Sequence, residues 1–331
     1  MLEDWIYFLL PRIFCGLAFT VNPIFVYLVF TEKQAKFGNY RFLLLFFAIF
    51  NLIYSVLSVI VPIDIHSYRY CYFLITRNGW FVQRSTFNFH MMSARCSLVG
   101  ASYAILLIHF IYRYLAIHNS DLTRNKFHWY MLFSIFTCVL YFGAWQALHI
   151  CYFLEKANME IREYIRQDFR LIYGNDSMNF NIIGALFNEG SDETRIKAFS
   201  SVLLSTSVSA VSIIMFLVLA ITIVTQLKKM TRNASKKTSK FQFELLRALF
   251  VQTVIPIVIS FSPCLLIWYS PVFGIQLPRG FNHFEISALG LFAFVDPVAI
   301  TLSLPIFRKR MFSFCRQSTN AGKSSLHRGT Q

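Results

Sequence analysis

The stretch FLLLFFAIFNLIYSVLSVIVPI, residues 42–63, decides the fold class of this chain. It contains 22 residues and no Asp, Glu, Lys or Arg. A helix needs about 20 mainly apolar residues to cross a lipid bilayer, whereas a membrane β-strand alternates apolar and polar residues over about 10 positions. Because backbone amides in hydrocarbon must be hydrogen-bonded internally, this stretch is predicted to form a membrane-spanning helix.

Six further stretches are similarly long and nearly uncharged. The chain has 331 residues, of which 14% are charged, against about 25% in an average soluble domain. One such stretch could be a buried helix of a soluble protein, but seven exclude that class. We therefore expect an all-α membrane protein, a seven-transmembrane helix bundle within residues 1–306. The approximate spans are 6–31, 42–63, 88–112, 129–154, 199–225, 247–270 and 285–306, and a tail with a short amphipathic helix follows over 307–331.

The distribution of charge predicts the orientation of the chain in the membrane. The net charge is +15. One set of loops, 32–41, 113–128 and 226–247, together with the tail carries 19 basic and three acidic residues; the N-terminus and the remaining loops carry 10 basic and 12 acidic residues. Cytoplasmic loops are rich in Lys and Arg, so we expect the N-terminus outside and the tail in the cytoplasm. The basic excess then favours contact with anionic lipids over nucleic acid.

Three polar residues are predicted to lie at one depth inside the bundle. Asn22, Asn51 and Asp296 are each nine or ten residues from the cytoplasmic end of their span, about 14 Å at 1.5 Å per residue. Polar groups in hydrocarbon usually face the bundle interior, which favours one shared cluster that water or a cation could join. Alternatively, each could satisfy a local backbone group. Pro23 and Pro297 directly follow two of these residues and predict kinks.

Two arginines mark the ends of the third predicted span. Arg113 follows the uncharged run at its cytoplasmic end, inside Tyr112-Arg113-Tyr114, where an interface anchor is the simplest interpretation. Arg95 lies 18 residues earlier, about 27 Å away and near the outer end. Its side chain could extend to the outer interface or face a ligand cavity.

The long loops contain basic clusters and two candidate modification sites. The loop between the fifth and sixth spans is basic at Lys228, Lys229, Arg232, Lys236 and Lys237. Basic residues beside aromatics at the start of the tail suit an interfacial helix, and Cys315 is a candidate for palmitoylation. Asn175 begins an Asn-Asp-Ser glycosylation sequon in the loop 155–198, which this topology places outside.

The sequence contains none of the common catalytic patterns. GxxxxGK[ST], HExxH and GxSxG are absent, and no two His residues have the helical i, i+4 spacing of an intramembrane metal pair. We therefore expect no enzymatic activity, no metal and no cofactor.

Several motifs, in order along the chain, resemble a known receptor family. They are Asn22-Pro23 followed by IFVYLVFTEK, Phe37-Gly38-Asn39-Tyr40-Arg41 leading into LLLFFAIFNLIYS, His109-Phe110-Ile111-Tyr112-Arg113-Tyr114, Ile255-Pro256 through FSPCLL to Trp268-Tyr269-Ser270-Pro271, and Asp296-Pro297. On these motifs the chain resembles the nematode seven-transmembrane chemoreceptors of the Str superfamily, closest to the Srj-like and Str-like branches.

The resemblance implies a rhodopsin-like G-protein-coupled receptor that detects a small-molecule ligand and activates a heterotrimeric G protein. Arg113 then matches the arginine that switches between inactive and active packing, although Tyr112 stands where an acid usually precedes it. The basic loop between the fifth and sixth spans would meet the G protein together with Arg113. A plasma-membrane location, in the cilium of a sensory neuron, is implied in the same way.

For such a receptor we expect an outer ligand pocket between helices three, five, six and seven. The candidate lining residues are His90, Arg95, Ser205, Ser209 and Trp268. Two alternatives stay open: a ligand-gated channel, or a small-molecule transporter, either of which would give flux or current without a G protein. A lipid-modifying membrane enzyme is a weaker alternative. Such an enzyme would need a cluster of His or acidic residues at one depth in the membrane, and only Asp296 is clearly in place.

Overall fold

Long helices occupy all seven predicted stretches. The structure, a computed structural model, describes residues 2–32, 37–77, 79–148, 158–231, 236–305 and 307–310. Six helices in this part are long and apolar enough to cross a membrane without interruption. The helices are α1 Leu2–Thr31, α2 Tyr40–Ile60, α3 Thr86–Ile117, α4 Phe127–Leu148, α5 Asp192–Thr231, α6 Lys236–Tyr269 in three segments, and α7 Arg279–Ser303. The predicted tail helix lies largely outside the described residues.

Helix α6 changes its hydrogen-bonding pattern in the middle. Its first segment, Lys236–Pro256, is α-helical; Ile257–Phe261 is a π-helix; and Ser262–Tyr269 is α-helical again. Proline has no backbone N–H to donate, so Pro256 and Pro263 each remove one helical hydrogen bond. The Ser262 hydroxyl donates to the carbonyl of Ile257 at 2.8 Å, which satisfies part of the resulting deficit. Short π segments of this kind often mark functional sites.

Helix α3 is the central element of the bundle. It packs against α4 and α5, while α1 packs against α2 and α7. In its apolar window 72% of residues are buried, against 22% for α4 and for α5. Helix α4 instead exposes large apolar side chains such as Leu132, Phe136 and Val139. Outward-facing apolar side chains are what lipid contact requires, because hydrocarbon provides no hydrogen-bonding partners.

A three-stranded antiparallel sheet covers one end of the bundle, which sequence analysis did not predict. The strands are β1 Ile63–Tyr68, β2 Cys71–Thr76 and β3 Ile182–Leu186, in the order β1-β2-β3. Ile63 pairs with Thr76 and Tyr68 with Cys71, so a two-residue turn joins the first two strands. Together with the helix Met159–Tyr173 these strands form what we call the cap, and its end of the bundle is called the cap end.

The sheet is buried on both faces. Cys71, Phe73 and Ile75 pack against the cap helix Met159–Tyr173. Tyr72 and Ile183 pack on the opposite face, against the ends of the membrane helices. Apolar residues are therefore needed at nearly every position of β2 and β3, and the usual strand alternation is lost. For this reason the two strands have no clear period in the sequence.

Two sets of polar contacts hold the cap together and attach it to the bundle. Arg279, the first residue of α7, donates to the buried Asp64 at 3.0 Å, to the Tyr173 hydroxyl at 3.0 Å and to Nδ1 of His66 at 2.9 Å. Because a guanidinium can only donate, Nε2 of His66 carries the proton that is donated to Asp168 at 3.1 Å. The start of helix α7 is thereby tied to strand β1 and to the cap helix.

Candidate ligand cavity and buried polar clusters

A cavity lies directly beneath the cap, between the membrane helices. Its empty space is about 1150 Å³, part of which is open to the surroundings. Tyr72, Leu74 and Ile183 of the sheet line it from above, and Phe14 and Trp268 line it from α1 and α6. Small-molecule sites are usually concave, mostly apolar clefts with a few polar groups. This cavity has that character.

The cavity brings together three of the five predicted pocket residues. Arg95, Ser205 and Trp268 line it, from α3, α5 and α6. His90 and Ser209 are not among the lining residues. His90 is half-buried, with its ring 6.0 Å from that of Phe89, and the buried Ser209 hydroxyl donates to the carbonyl of Ser205 at 3.0 Å.

One basic and one acidic side chain line the cavity. Arg95 is 6% exposed and its guanidinium carbon lies 4.3 Å from the ring centroid of Tyr54. Glu285 on α7 is 1% exposed and has the thiol of Cys264 as a neighbour, and its Oε2 has no hydrogen-bond partner within the described part of the chain. Sequence analysis did not select Glu285, because it stands at the boundary between a predicted loop and the seventh span. The signal in the sequence that could have identified Glu285 is a carboxylate directly before a long uncharged run.

The predicted intramembrane polar residues are all buried near the middle of the bundle. The Asn51 side-chain amide donates to Oδ1 of Asn22 at 3.3 Å, and the Asn22 amide donates to the carbonyl of Ala293 on α7 at 3.0 Å. Asp296 lies three residues further along α7 and is 2% exposed, and no described residue forms a hydrogen bond with its Oδ1. The two asparagines therefore link α1, α2 and α7, whereas no hydrogen bond joins either of these described asparagines to Asp296.

A second buried cluster lies at the end of α3 away from the cap. The Arg113 guanidinium carbon lies 3.7 Å from the ring centroid of Tyr40 on α2. The Tyr40 hydroxyl is 2.8 Å from Nδ1 of His109, and the ring of Tyr112 is 5.0 Å from that of Tyr40. Both Arg113 and His109 are buried. Tyr112 and Arg113 are predicted from the sequence as coupling residues, whereas Tyr40 and His109 stand there only within longer motifs.

The remaining predicted sites lie on the surface or outside the described residues. Lys228 and Lys229 are exposed at the end of α5. Arg232 and Cys315 lie outside the described residues, as do the side chains of Lys236 and Lys237 in α6.

The predicted glycosylation site lies in the turn that follows the cap helix. The side chain of Asn175 is exposed, whereas Ser177 of the same sequon is buried and donates to the carbonyl of Arg162 at 2.8 Å. Hydrogen bonds from Arg166 and Arg170 hold the pKa of the Asp176 carboxyl well below its usual range. The turn that presents Asn175 is therefore firmly attached to the cap helix.

Comparison with known proteins identifies the family. The model of the serpentine type 7TM GPCR chemoreceptor family Srj matches residues 1–311. The chain is 62% identical over 321 residues to serpentine receptor class J-38 of Caenorhabditis elegans, covering 97% of each protein. It is also 25% identical to serpentine receptor class r-10 of Caenorhabditis briggsae, over 92% of this chain and 90% of that protein, and 22% identical to the G-protein coupled receptor str-33 of C. elegans, over 85% and 81%.

These similarities extend over nearly the whole chain and agree with the apolar helices of the structure. They confirm the predicted seven-transmembrane fold and the resemblance on which the predicted function rests. The chain therefore belongs to the Srj family of serpentine seven-transmembrane G-protein-coupled chemoreceptors, which are multi-pass membrane proteins.

Proposed function

We propose that this receptor binds a small-molecule ligand in the cavity beneath the cap and activates a heterotrimeric G protein at the opposite end. The observation that carries the proposal is that one continuous helix, α3, contributes to both sites. Arg95 lines the cavity and Arg113 lies in the cluster with Tyr40. The 18 residues between them correspond to about 27 Å of helix, so movement of α3 at one end is transmitted to the other.

Activation is expected to be a population shift between two packings of the helices. A ligand moves such an equilibrium only if it binds one state more tightly than the other. In the packing described here, Arg113 is buried against the Tyr40 ring. We propose that ligand binding favours a second packing in which Arg113 leaves this ring and contacts the G protein, together with Tyr112 and the basic residues from Lys228 to Lys237.

Helix α6 is the element best suited to move. Its π segment, Ile257–Phe261, lies between Pro256 and Pro263. The cavity-lining residues Phe261 and Trp268 both lie C-terminal to Pro256. A helix with fewer regular backbone hydrogen bonds bends at lower cost. We therefore expect contact between the ligand and Trp268 to change the angle between the helical segment that contains Trp268 and the segment that begins at Lys236.

The proposed orientation follows from the basic loops. The N-terminus and the cap would be outside, with Asn175 accessible for glycosylation, and the tail would be cytoplasmic, with Cys315 available for palmitoylation. The ligand would then reach the cavity from outside the cell. A location in the plasma membrane of a sensory cilium is consistent with a chemoreceptor.

Guanine nucleotide exchange tests the proposal. The receptor is reconstituted in lipid vesicles with a set of purified heterotrimeric G proteins, and GTPγS uptake is measured with and without a panel of small molecules. We expect faster uptake than in receptor-free vesicles for at least one G protein. Arg113→Ala should abolish the difference, whereas Arg124→Ala, at an exposed basic residue in the neighbouring loop, should not.

Two outcomes would overturn the proposed function. One is unchanged nucleotide exchange by an Arg113→Ala receptor present in equal amount. The other is the absence of any G-protein response combined with a ligand-dependent ionic current through receptor-containing bilayers, which would favour a channel.

A further inference from the structure

The cavity beneath the cap is lined by one buried basic side chain and one buried acidic side chain that form no ion pair with each other among the described residues. Arg95 on α3 and Glu285 on α7 both line it. Among the ion pairs of the described residues, none joins these two side chains. Each therefore faces the same empty space from a different helix.

Burial makes this arrangement costly unless a further group enters the cavity. Removing an ion from water carries a large free-energy cost even after the protein relaxes. For Arg95 part of this cost is offset by the Tyr54 ring, 4.3 Å from its guanidinium carbon, since the electron-rich face of an aromatic ring attracts a cation. Among the described residues, Glu285 has only the Cys264 thiol, a weak donor, as a neighbouring donor, and its Oε2 has no hydrogen-bond partner there.

The rest of the lining is mainly apolar. Tyr72, Leu74 and Ile183 lie above, and Phe14 and Trp268 lie at the sides. The hydroxyls of Ser58 and Ser287, which also line the cavity, already donate to backbone carbonyls one turn earlier in their helices. An occupant must therefore be apolar over most of its surface and charged where it meets Arg95 and Glu285.

We propose that the cavity takes a small zwitterionic ligand of the amino-acid class, whose carboxylate is bound by Arg95 and whose ammonium group is bound by Glu285. The inference rests on the proposed function, because it assumes that the cavity is the ligand site. A guanidinium matches a carboxylate with two parallel hydrogen bonds, and an ammonium group supplies the donors that Oε2 of Glu285 lacks. The apolar body of the ligand would contact the sheet and Trp268.

Ligands with one charge fit less well for electrostatic reasons. An acid without an ammonium group would leave Glu285 unpaired and place a second anion near it. An amine without a carboxylate would place a second cation in the same cavity as Arg95. Hydrogen bonds to charged groups contribute about 1.5–3 kcal/mol each, so each missing charge should weaken binding by roughly tenfold or more.

Two matched sets of three compounds test this charge requirement. The first set is L-phenylalanine, 2-phenylethylamine and 3-phenylpropionate; the second is L-leucine, 3-methylbutylamine and 4-methylpentanoate. Thermal unfolding of the purified full-length receptor in lipid nanodiscs is followed at increasing compound concentration, with no G protein present. We expect the zwitterion of at least one set to raise the melting temperature by about 2 °C or more, with roughly tenfold tighter binding than its acid and its amine.

Two variants assign the charges to their residues. Arg95→Gln should remove the preference for the zwitterion over the amine, and Glu285→Gln should remove its preference over the acid. Arg195→Gln, at an exposed residue near the cap end of α5, should change neither. If either cavity variant fails to fold, the comparison of the three compounds on the unmodified receptor still decides.

The inference is wrong if the acid or the amine of both sets binds as tightly as the zwitterion, or if none of the six compounds stabilises the receptor. Stabilisation by a zwitterion without any nucleotide exchange would retain the inference and contradict G-protein activation. Nucleotide exchange evoked by uncharged compounds alone would retain the proposed function and overturn the inference.

Discussion

The guanidinium carbon of Arg113 lies 3.7 Å from the centroid of the Tyr40 ring. This contact joins α3 to α2 at the end of the bundle away from the cap. The residue before Arg113 is Tyr112, so the chain has no carboxylate beside the arginine in sequence, and an aromatic face lies over the buried cation instead. The Tyr40 ring is itself positioned by the 2.8 Å contact between its hydroxyl and Nδ1 of His109.

Replacing Tyr40 by Leu should raise basal signalling. A cation–π contact contributes about 0.5–2 kcal/mol, so its loss should shift the equilibrium roughly two- to thirtyfold toward the packing in which Arg113 is released. The measurement is GTPγS uptake without ligand. Tyr40→Phe keeps the ring and should have a smaller effect. In an Arg113→Ala background Tyr40→Leu should have no further effect, and equal basal uptake by Tyr40→Leu and the unmodified receptor would contradict the assigned role.

Replacing Gly100 by Ala should destabilise the bundle and disturb the cavity. A Cβ atom at Gly100 on α3 would overlap the indole of Trp145 on α4, whose ring centroid is 6.3 Å from that of Trp268 in the cavity wall. Overpacking of this kind costs about 1–3 kcal/mol. The thermal midpoint should fall for Gly100→Ala but not for Gly143→Ala, since a Cβ at Gly143 meets nothing within 4 Å. Equal midpoints for the two variants would show that Trp145 adjusts freely.

Replacing Asp64 by Asn should loosen the cap. Asp64 is fully buried and accepts from Arg279 at 3.0 Å, and removing one partner of a buried ion pair costs on the order of 3 kcal/mol. Hydrogen exchange should accelerate in strands β1 and β2. Arg69→Gln breaks an exposed pair with Glu189 and should leave exchange in β2 nearly unchanged. Similar exchange in the two variants would mean that apolar packing alone holds the sheet.

The orientation of the chain can be tested at Asn175 and at the two termini. If the cap is outside, peptide N-glycosidase should increase the gel mobility of the unmodified receptor but not of Asn175→Gln. An epitope before Trp5 should be stained on intact cells, and one after Gln331 only after permeabilisation. An N-terminal epitope stained only after permeabilisation would reverse the charge-based orientation and favour the channel alternative.

Depth along a helix could be predicted from the sequence more accurately than direction around it. Asn22 and Asn51 were expected to share a cluster because both lie at similar distances from the end of their span, and the structure places their side chains 3.3 Å apart. Asp296 was expected beside them at the same depth. It is buried, but its position relative to the asparagines depends on the rotation of α7 about its axis, which sequence spacing does not specify.

The pocket residues also show that depth along a helix is easier to predict than direction around it. Arg95, Ser205 and Trp268 line the cavity, whereas His90 and Ser209 do not, although all five were predicted to line one outer pocket. Glu285 lines the cavity as well. Its side chain is directed inward because α7 packs beside α1 and beneath β1, and these are contacts between segments far apart in sequence.

The sequence by itself determined the seven apolar helices, because the length and apolarity that a bilayer requires are properties of each segment alone. Only the tertiary structure decided that a sheet buried on both faces covers the cavity, that Arg95 and Glu285 face the same space without pairing, and that Arg113 packs on Tyr40. These features depend on which face of each helix or strand meets its neighbours. That choice is made by the packing of the whole bundle, where every side chain must fill space left by others.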